Sequence, residues 1–200
     1  MWTFAADAPL SGLLKGVEDR YNRARSLQVS FSEQYTPAAG GQRTESGRLL
    51  LRKPLRMRWD YAQPKGKLIV CDGKYIWIYN PVENRAEREP LKESDDMRVP
   101  LAFLLGKLNF EKEFQNIQWH PEGADDIRIT AAPKSDNLPF STVEFVVGRD
   151  SHIKTVQITY FDRSVLKYSF ELEKMNPPVA DKDFQFEMPK GAELVDGQGD

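Results

Sequence analysis

The chain has 200 residues and a net charge of −2, with 28 Lys and Arg against 30 Asp and Glu. This balance argues against a nucleic-acid or anionic-membrane binder, because counterion release needs a surplus of basic groups. The single cysteine, Cys71, excludes an internal disulfide and a cysteine-based zinc cluster. Two distant histidines, His120 and His152, do not suggest a metal site either. We therefore expect no metal and no cofactor.

Residues 1–9 form a tail before the first predicted element. The tail lacks the charged and apolar regions of a signal peptide, but the run from Ala5 to Pro9 resembles the small residues around a cleavage site. It is interpreted either as the remnant of a signal peptide behind an added Met or as an ordinary disordered N-terminus. Residues 10–197 are expected to form a single domain, because no Pro-, Gly- or Ser-rich linker divides them.

The first predicted element is an amphipathic helix from about Pro9 to Arg25. Its apolar side chains recur with a period of about 3.6 residues, and charged residues fill the opposite side. The apolar positions are Leu10, Leu13, Leu14, Val17, Tyr21 and Ala24. One face of this helix should therefore pack against a core.

From residue 27 onward the apolar residues recur every second position, which predicts half-buried strands. In the run over 166–172, this alternation places Leu172 on the same face as Tyr168 and Phe170. The other predicted strands are 27–35, 49–51, 55–61, 68–71, 74–79, a short strand ending at Trp119, 127–130, 142–147, 156–160 and a last candidate at Phe184 and Phe186.

Strands 68–71 and 74–79 are predicted to form a hairpin. Asp72-Gly73 between two β-rich runs favours a type I′ turn, which needs a positive φ at both central positions. The second strand is apolar on both faces, so each face needs a cover. We expect the face of Ile76 and Ile78 to point inward.

Counted together, these segments give about eleven closely spaced strands, a number at which open sheets curl or close. Short connections favour antiparallel pairing. A short helix is also predicted over 99–106, with Pro100 near its start and Gly106 after its end. The fold class is therefore mainly β (α+β). A curled sheet of this size encloses more volume than its own side chains fill, so either helices or a ligand must occupy the space.

Motifs for catalysis are missing from the sequence. It contains no nucleophile elbow, P-loop, dinucleotide fingerprint, HExxH or EF-hand loop. Asp150, Ser151 and His152 are adjacent and cannot adopt the geometry of a triad. We therefore expect that the protein is not an enzyme. The inward-facing side chains Met57 and Trp59 fit either a packed core or a cavity for acyl chains, and the pattern alone does not decide.

The segment from Gly47 to Pro81 carries an ordered set of short motifs. A glycine-led strand is followed by the basic-basic-Pro run 52–54, the Arg-Trp strand 58–61 and the Asp-Gly-Lys and aromatic strand 72–81. Together with the N-terminal helix, the Pro-Leu-x-Phe-Leu-Leu helix and the ending 184–191, this set resembles the LolA family of periplasmic carriers of outer-membrane lipoproteins. The resemblance covers about residues 10–197.

The resemblance implies an incomplete antiparallel β-barrel with a helical lid over an apolar cavity. It also implies a periplasmic chaperone that accepts acylated lipoproteins from an ATP-driven extraction complex of the inner membrane. The chaperone would deliver them to a LolB-type receptor of the outer membrane, and we expect a monomer. The expected cavity residues are Leu14, Val17, Met57, Trp59, Ile69, Ile78, Phe103, Leu104, Phe145, Tyr168 and Phe170.

Two departures from the family pattern concern charged residues. Family members usually carry Arg immediately before the strand proline, where it ties the lid to the barrel; here that residue is Lys53, after Arg52. Lys offers a point charge rather than a bidentate fork, so lid closure is either weaker or supported by Arg52. The charged stretch from Glu83 to Arg98 is a second departure, with no specific partner.

Other functions on the same fold remain alternatives. A lipid-sensing regulatory module would usually carry a second domain, for which 200 residues leave no room. An enzyme would need a convergent acid–base or nucleophile set, and the sequence offers none. A LolB-type receptor is anchored through an N-terminal cysteine, whereas Cys71 lies within the predicted barrel. The soluble carrier is therefore favoured.

Overall fold

The structure is a computed structural model and describes residues 7–91 and 108–196. These residues contain two α-helices, one 3₁₀ helix and twelve strands. The helices are α1 Asp7–Arg23, α2 Phe110–Glu113 and the 3₁₀ helix Asp181–Phe184. The strands are β1 Ser26–Thr36, β2 Arg43–Arg52, β3 Arg56–Gln63, β4 Leu68–Cys71, β5 Tyr75–Asn80, β6 Arg85–Pro90, β7 Phe114–Glu122, β8 Asp126–Pro133, β9 Phe140–Val147, β10 Ile153–Tyr160, β11 Val165–Met175 and β12 Glu193–Asp196.

All twelve strands belong to one sheet, in the order β12-β6-β5-β4-β3-β2-β1-β11-β10-β9-β8-β7. Neighbouring strands are antiparallel, except that β12 runs parallel to β6. Strands β12 and β7 are the two edges, so the sheet does not close over the described residues. The prediction of a mainly β fold with an incomplete antiparallel barrel is confirmed, with one strand more than expected and one parallel pair.

The main core lies on one face of this sheet, which we call the concave face. Alternate residues of the strands point into it, and Leu27, Val29 and Phe31 of β1 are at most 4% exposed. Helix α1 covers the same face, because its Leu14, Val17 and Tyr21 belong to the same apolar cluster. The predicted apolar stripe of α1 therefore packs as expected, on a helix that begins and ends about two residues earlier than predicted.

The opposite face of β5 is covered by the C-terminal segment. Phe186 stacks on Trp77, with ring centroids 4.9 Å apart. Val70 and Ala86, which lie beside Trp77 and Tyr79 in the register, are fully buried. The predicted strand at Phe184 and Phe186 is therefore wrong, because this segment serves as the second cover that a strand apolar on both faces requires.

The β4–β5 hairpin is present, but its turn differs from the prediction. Cys71 pairs with Ile76 and Ile69 with Ile78, so the central turn residues are Gly73 and Lys74. Only Gly73 has a positive φ, of 92°, whereas a type I′ turn needs two. The Asp72 carboxylate instead accepts hydrogen bonds from the backbone N–H groups of Lys74 and Tyr75, each at 2.8 Å. The centre of the turn thus lies one residue later than predicted, but each β5 side chain stays on its predicted face of the sheet. Ile76 points to the main core.

A β-bulge in β11 corrects the predicted position of Leu172. Ser30 pairs with Glu171 but Gln28 pairs with Lys174, so β11 holds one extra residue at this point. Leu172 adopts a φ of +54° and is 75% exposed. The bulge reverses the alternation, which places Leu172 outside and turns the next residue, Glu173, toward α1.

The charged stretch after Glu83 contains a strand that the sequence pattern did not predict. Strand β6, Arg85–Pro90, pairs with β5 along its whole length. Its charged side chains obscure the alternation, since only Ala86 is fully buried. The helix predicted over 99–106, with Phe103 and Leu104, lies outside the described residues.

Candidate functional site

The expected cavity residues within the described ranges meet on the concave face. Six of them, each less than 9% exposed, are buried in the main apolar cluster: Leu14, Val17, Met57, Trp59, Phe145 and Tyr168. Three more pack against it in partly buried positions: Ile69, Ile78 and Phe170. Strands from both halves of the sheet therefore contribute to one continuous apolar surface, with α1 lying over it.

Aromatic rings form the centre of this surface. Phe31 contacts Trp59 and Tyr61 edge to face, with ring centroids 4.7 and 5.1 Å apart. The Trp59 ring lies 5.5 Å from Tyr168, which stacks on Phe170 at 6.1 Å. Sequence analysis did not select Phe31 or Tyr61, although the period-two alternation of their strands contains the signal.

Leu14, Val17 and Tyr21 of α1 pack directly onto the described strands of the concave face. Two voids of about 10 Å³ each lie beside the last turn of α1, and both are lined by Tyr21 and Leu27. Such a void has room for about one water molecule. Side chains of α1 therefore occupy the position that an apolar ligand would need, and we call this arrangement the closed state.

Polar contacts fix α1 in the closed state. The Lys53 ammonium, at the β2–β3 turn, donates a hydrogen bond of 2.8 Å to the Tyr21 carbonyl in the last turn of α1. Asn22 forms two hydrogen bonds with the backbone of Leu108, at 2.8 and 2.7 Å. The Glu18 carboxylate accepts a hydrogen bond from the Phe110 backbone. Both the barrel and the segment before β7 thus hold the helix.

The Arg52 side chain contacts the C-terminal segment rather than α1. Its guanidinium pairs with Asp181 and lies 5.1 Å from the centre of the Phe184 ring. Arg52 and Lys53 are adjacent, and their side chains leave the β2–β3 turn toward different elements. Of these two basic residues, Lys53 is the one that contacts α1.

A family model described as outer membrane lipoprotein carrier protein LolA matches residues 22–187. The chain belongs to the LolA family.

Similar proteins include two outer-membrane lipoprotein carrier proteins. That of Chromobacterium violaceum is 28% identical over 179 residues, covering 87% of this chain and 82% of the relative. That of Sodalis glossinidius is 27% identical over 195 residues, covering 96% of this chain and 89% of the relative. The solved structure of an uncharacterized conserved protein from Thermus thermophilus is similar, with a TM-score of 0.55 and 14% identity. The match covers 94% of this chain and 99% of that protein. That likeness concerns the fold alone.

This LolA-family chain also has polar groups on the concave face, which sequence analysis missed. Glu33 follows Phe31 in the inward phase of β1 and is 8% exposed. Its carboxylate accepts a hydrogen bond of 3.2 Å from the Tyr61 hydroxyl. Opposite it in the register, the buried Glu45 pairs with Lys67, whose ammonium lies 4.3 Å from the Tyr61 ring centre. Toward this end of β1 the surface is therefore polar.

The pKa of Glu33 has a consequence for stability. Burial raises the pKa of Glu33, and the nearby Glu45 carboxylate raises it further against the opposing effect of Lys67. A carboxyl with a raised folded-state pKa contributes stability that is present below its unfolded pKa and lost as the pH rises through the folded pKa.

We therefore expect the wild type to gain free energy of unfolding relative to Glu33→Gln as the pH falls from about 7 to about 5. This window stays above the ordinary glutamate pKa of about 4.3, so acids with lowered pKa values, such as Asp181 beside Arg52, remain charged. Urea unfolding of both proteins at the two pH values measures the difference. A difference that does not change with pH would contradict the prediction.

One buried donor of the aromatic strand β3 lacks an acceptor within residues 7–91 and 108–196. The Trp59 indole N–H is inaccessible to solvent and has no hydrogen-bond partner among the described residues. An unpaired buried donor costs about 1–3 kcal/mol.

The described residues contain no group of three His, Cys, Asp or Glu side chains able to hold a metal ion. They also contain no helix long and apolar enough to span a membrane.

Proposed function

We propose that the protein is a periplasmic carrier that binds the acyl chains of lipoproteins released from the inner membrane. It shields these chains beneath α1 and delivers them to a receptor at the outer membrane. The observation that carries this proposal is the packing of an amphipathic helix over a continuous apolar wall in an open barrel. The similar carriers named above support the cargo class.

The closed state explains how binding can be both strong and reversible. Each buried CH₂ contributes about 0.8 kcal/mol, so unshielded acyl chains would not cross water. On the concave face, Leu14 and Val17 of α1 occupy apolar contacts that cargo would otherwise make. Cargo and α1 therefore compete for one surface. Met57, unbranched and fully buried at its centre, is suited to adapt to either occupant.

The unpaired indole N–H of Trp59 fits cargo with a carbonyl group near its acyl chains. The ester and amide carbonyls of an acylated lipoprotein are hydrogen-bond acceptors that enter with the chains. A carbonyl beside Trp59 would satisfy the donor that the closed state leaves unpaired. This would favour acyl esters over plain hydrocarbon.

The proposed partners follow from the same role. An ATP-driven complex of the inner membrane would supply the lipoprotein, and a LolB-type receptor would accept it. A release assay tests the first step: inner membranes bearing newly made lipoproteins, the extraction complex and ATP are incubated with the protein. We expect lipoprotein in the soluble fraction in a stoichiometric complex. A soluble fraction without lipoprotein would contradict the proposal.

A charge on the concave face should reduce this release. Met57 and Trp59 are too deeply buried for a clean test, because a carboxylate there would cost folding free energy. Ile78 is only partly buried, so Ile78→Glu should fold while placing a charge among the acyl contacts. We expect it to lose about tenfold or more in acyl affinity, since burying a charge opposes binding.

Val82→Glu is the matched control for this variant. Val82 lies in the turn after β5 and is 86% exposed, so the same substitution adds the same charge in solvent. We expect release at the wild-type level. Equal release by Ile78→Glu and Val82→Glu would show that the acyl chains do not bind this face.

A further inference from the structure

Glu173 reaches α1 only because β11 contains the bulge at Leu172. In a regular strand Leu172 would continue the inward phase of Tyr168 and Phe170, and Glu173 would point to solvent. The extra residue puts Leu172 outside, 75% exposed, and leaves the Glu173 side chain only 12% exposed. A positive φ is uncommon for a leucine, and exposing an apolar side chain is unfavourable. In return, the bulge turns both Glu173 and the apolar Met175 to the inward side.

Glu173 makes the densest polar contact between the sheet and α1. Its carboxylate accepts hydrogen bonds from the Arg20 guanidinium, at 3.0 Å from Nε, and from the Tyr21 hydroxyl, at 2.8 Å. Burial, together with the charge of Glu173, raises the pKa of Tyr21, so its hydroxyl remains a donor. The Tyr21 oxygen in turn accepts a hydrogen bond of 2.8 Å from the Ile153 backbone N–H.

These contacts join three separate elements at one point. Arg20 and Tyr21 belong to the last turns of α1, Glu173 to β11 and Ile153 to the start of β10. Arg20 also donates to the Asp150 carbonyl before β10, at 3.2 Å. One of the small voids beside α1 is lined by both Tyr21 and Glu173. The contacts therefore fix the last turns of α1 against two neighbouring strands of the sheet.

We propose that Glu173 is a latch that holds α1 over the concave face and sets the balance between the closed state and a cargo-accepting state. This inference rests on the proposed carrier function. Glu173 is a positioning residue, since it acts through α1 and does not itself bind the acyl chain. A ligand that binds only the open state has an apparent affinity reduced by the fraction of protein that is open. Weakening the latch should therefore strengthen acyl binding.

Glu173→Gln tests the latch, with Glu171→Gln as the matched control. Glu171 lies two residues earlier in β11 and is exposed, so the control removes the same charge from the same strand. Two readouts are measured on each full-length protein. One is hydrogen exchange of α1 peptides relative to β-strand peptides, and the other is the dissociation constant for dansyl-undecanoic acid.

We expect α1 of Glu173→Gln to exchange about tenfold faster and the probe to bind about tenfold more tightly, because hydrogen bonds to a charged group are replaced by neutral ones. Glu171→Gln should match the wild type in both readouts. Tyr21→Phe keeps the ring in the core and removes the bridging hydroxyl, so it should shift both readouts in the same direction.

Unchanged α1 exchange in Glu173→Gln and in Tyr21→Phe would overturn the latch. A merely structural role would accelerate exchange in α1 and the strands alike and weaken probe binding, and that result would overturn it too. If the wild type bound no probe, the carrier function would fail, while α1 exchange would still decide whether the latch exists.

Discussion

Replacing Lys53 by leucine is expected to slow the transfer of cargo to the receptor by about tenfold or more. The Lys53 ammonium donates to the Tyr21 carbonyl and ties the β2–β3 turn to the last turn of α1. A hydrogen bond from a charged group contributes about 1.5–3 kcal/mol, here to the closed state alone. Without it α1 competes less well for the concave face, so bound acyl chains are not displaced.

Lys53→Leu should still fold, because its backbone N–H keeps the bond of 2.9 Å to the Arg25 carbonyl. Burial lowers the pKa of Lys53, so leucine also removes a desolvation cost. Receptor-dependent transfer from a preformed complex measures the effect, and thermal unfolding measures the fold. Arg52→Leu is the control, since its side chain contacts Asp181 and Phe184 instead. Unchanged transfer by Lys53→Leu would refute the prediction.

Gly47→Ala is expected to produce the largest loss of stability, about 3 kcal/mol, because added atoms in a tight contact force backbone shifts. A Cβ atom at Gly47 would lie 2.1 Å from the Asp60 carbonyl oxygen and 2.8 Å from the Tyr61 Cα. Both are backbone atoms of β3, so no side-chain rotation relieves the clash. The β2–β3 pair would separate beneath the Phe31 and Tyr61 rings.

Gly12→Ala is the matched control for this prediction. Gly12 lies in α1, and a Cβ atom there would meet nothing within 4 Å. Alanine favours a helix by about 0.5–1 kcal/mol over glycine, so this variant should be slightly more stable than the wild type. Urea unfolding measures both variants. A Gly47→Ala protein as stable as Gly12→Ala would show that β3 can move away at little cost.

The contrast between β1 and β11 shows how far periodicity alone predicts this fold. In β1 the alternation holds throughout, and Leu27, Val29 and Phe31 lie on the predicted inward face. In β11 the same alternation holds as far as Phe170 and then fails at Leu172. A bulge has no signature in the apolar pattern, because it depends on the pairing with β1 and on the contacts that Glu173 gains with α1.

The candidate site likewise contains features that the sequence predicts and features that it does not. The motif around Lys53 was recognisable from sequence, but the motif does not show which of its two basic residues contacts α1. Only the structure shows that Lys53 contacts α1 and Arg52 contacts Asp181. Glu33 and Glu45 were missed because a charged residue in an apolar phase is normally assigned to solvent. Their burial depends on Tyr61 of β3 and on Lys67 of the β3–β4 turn.

Residue patterns were enough to predict the strand-rich fold, the amphipathic first helix, the family and most of the apolar wall. These properties follow from local periodicity and short motifs, which are formed by residues close together in the chain. The closed state, the partner of each basic residue and the inward turn of Glu173 became visible only in the folded protein. Such features depend on atoms that lie far apart in the chain, from Tyr21 to Glu173, and their energies arise only when folding brings those atoms within hydrogen-bond distance.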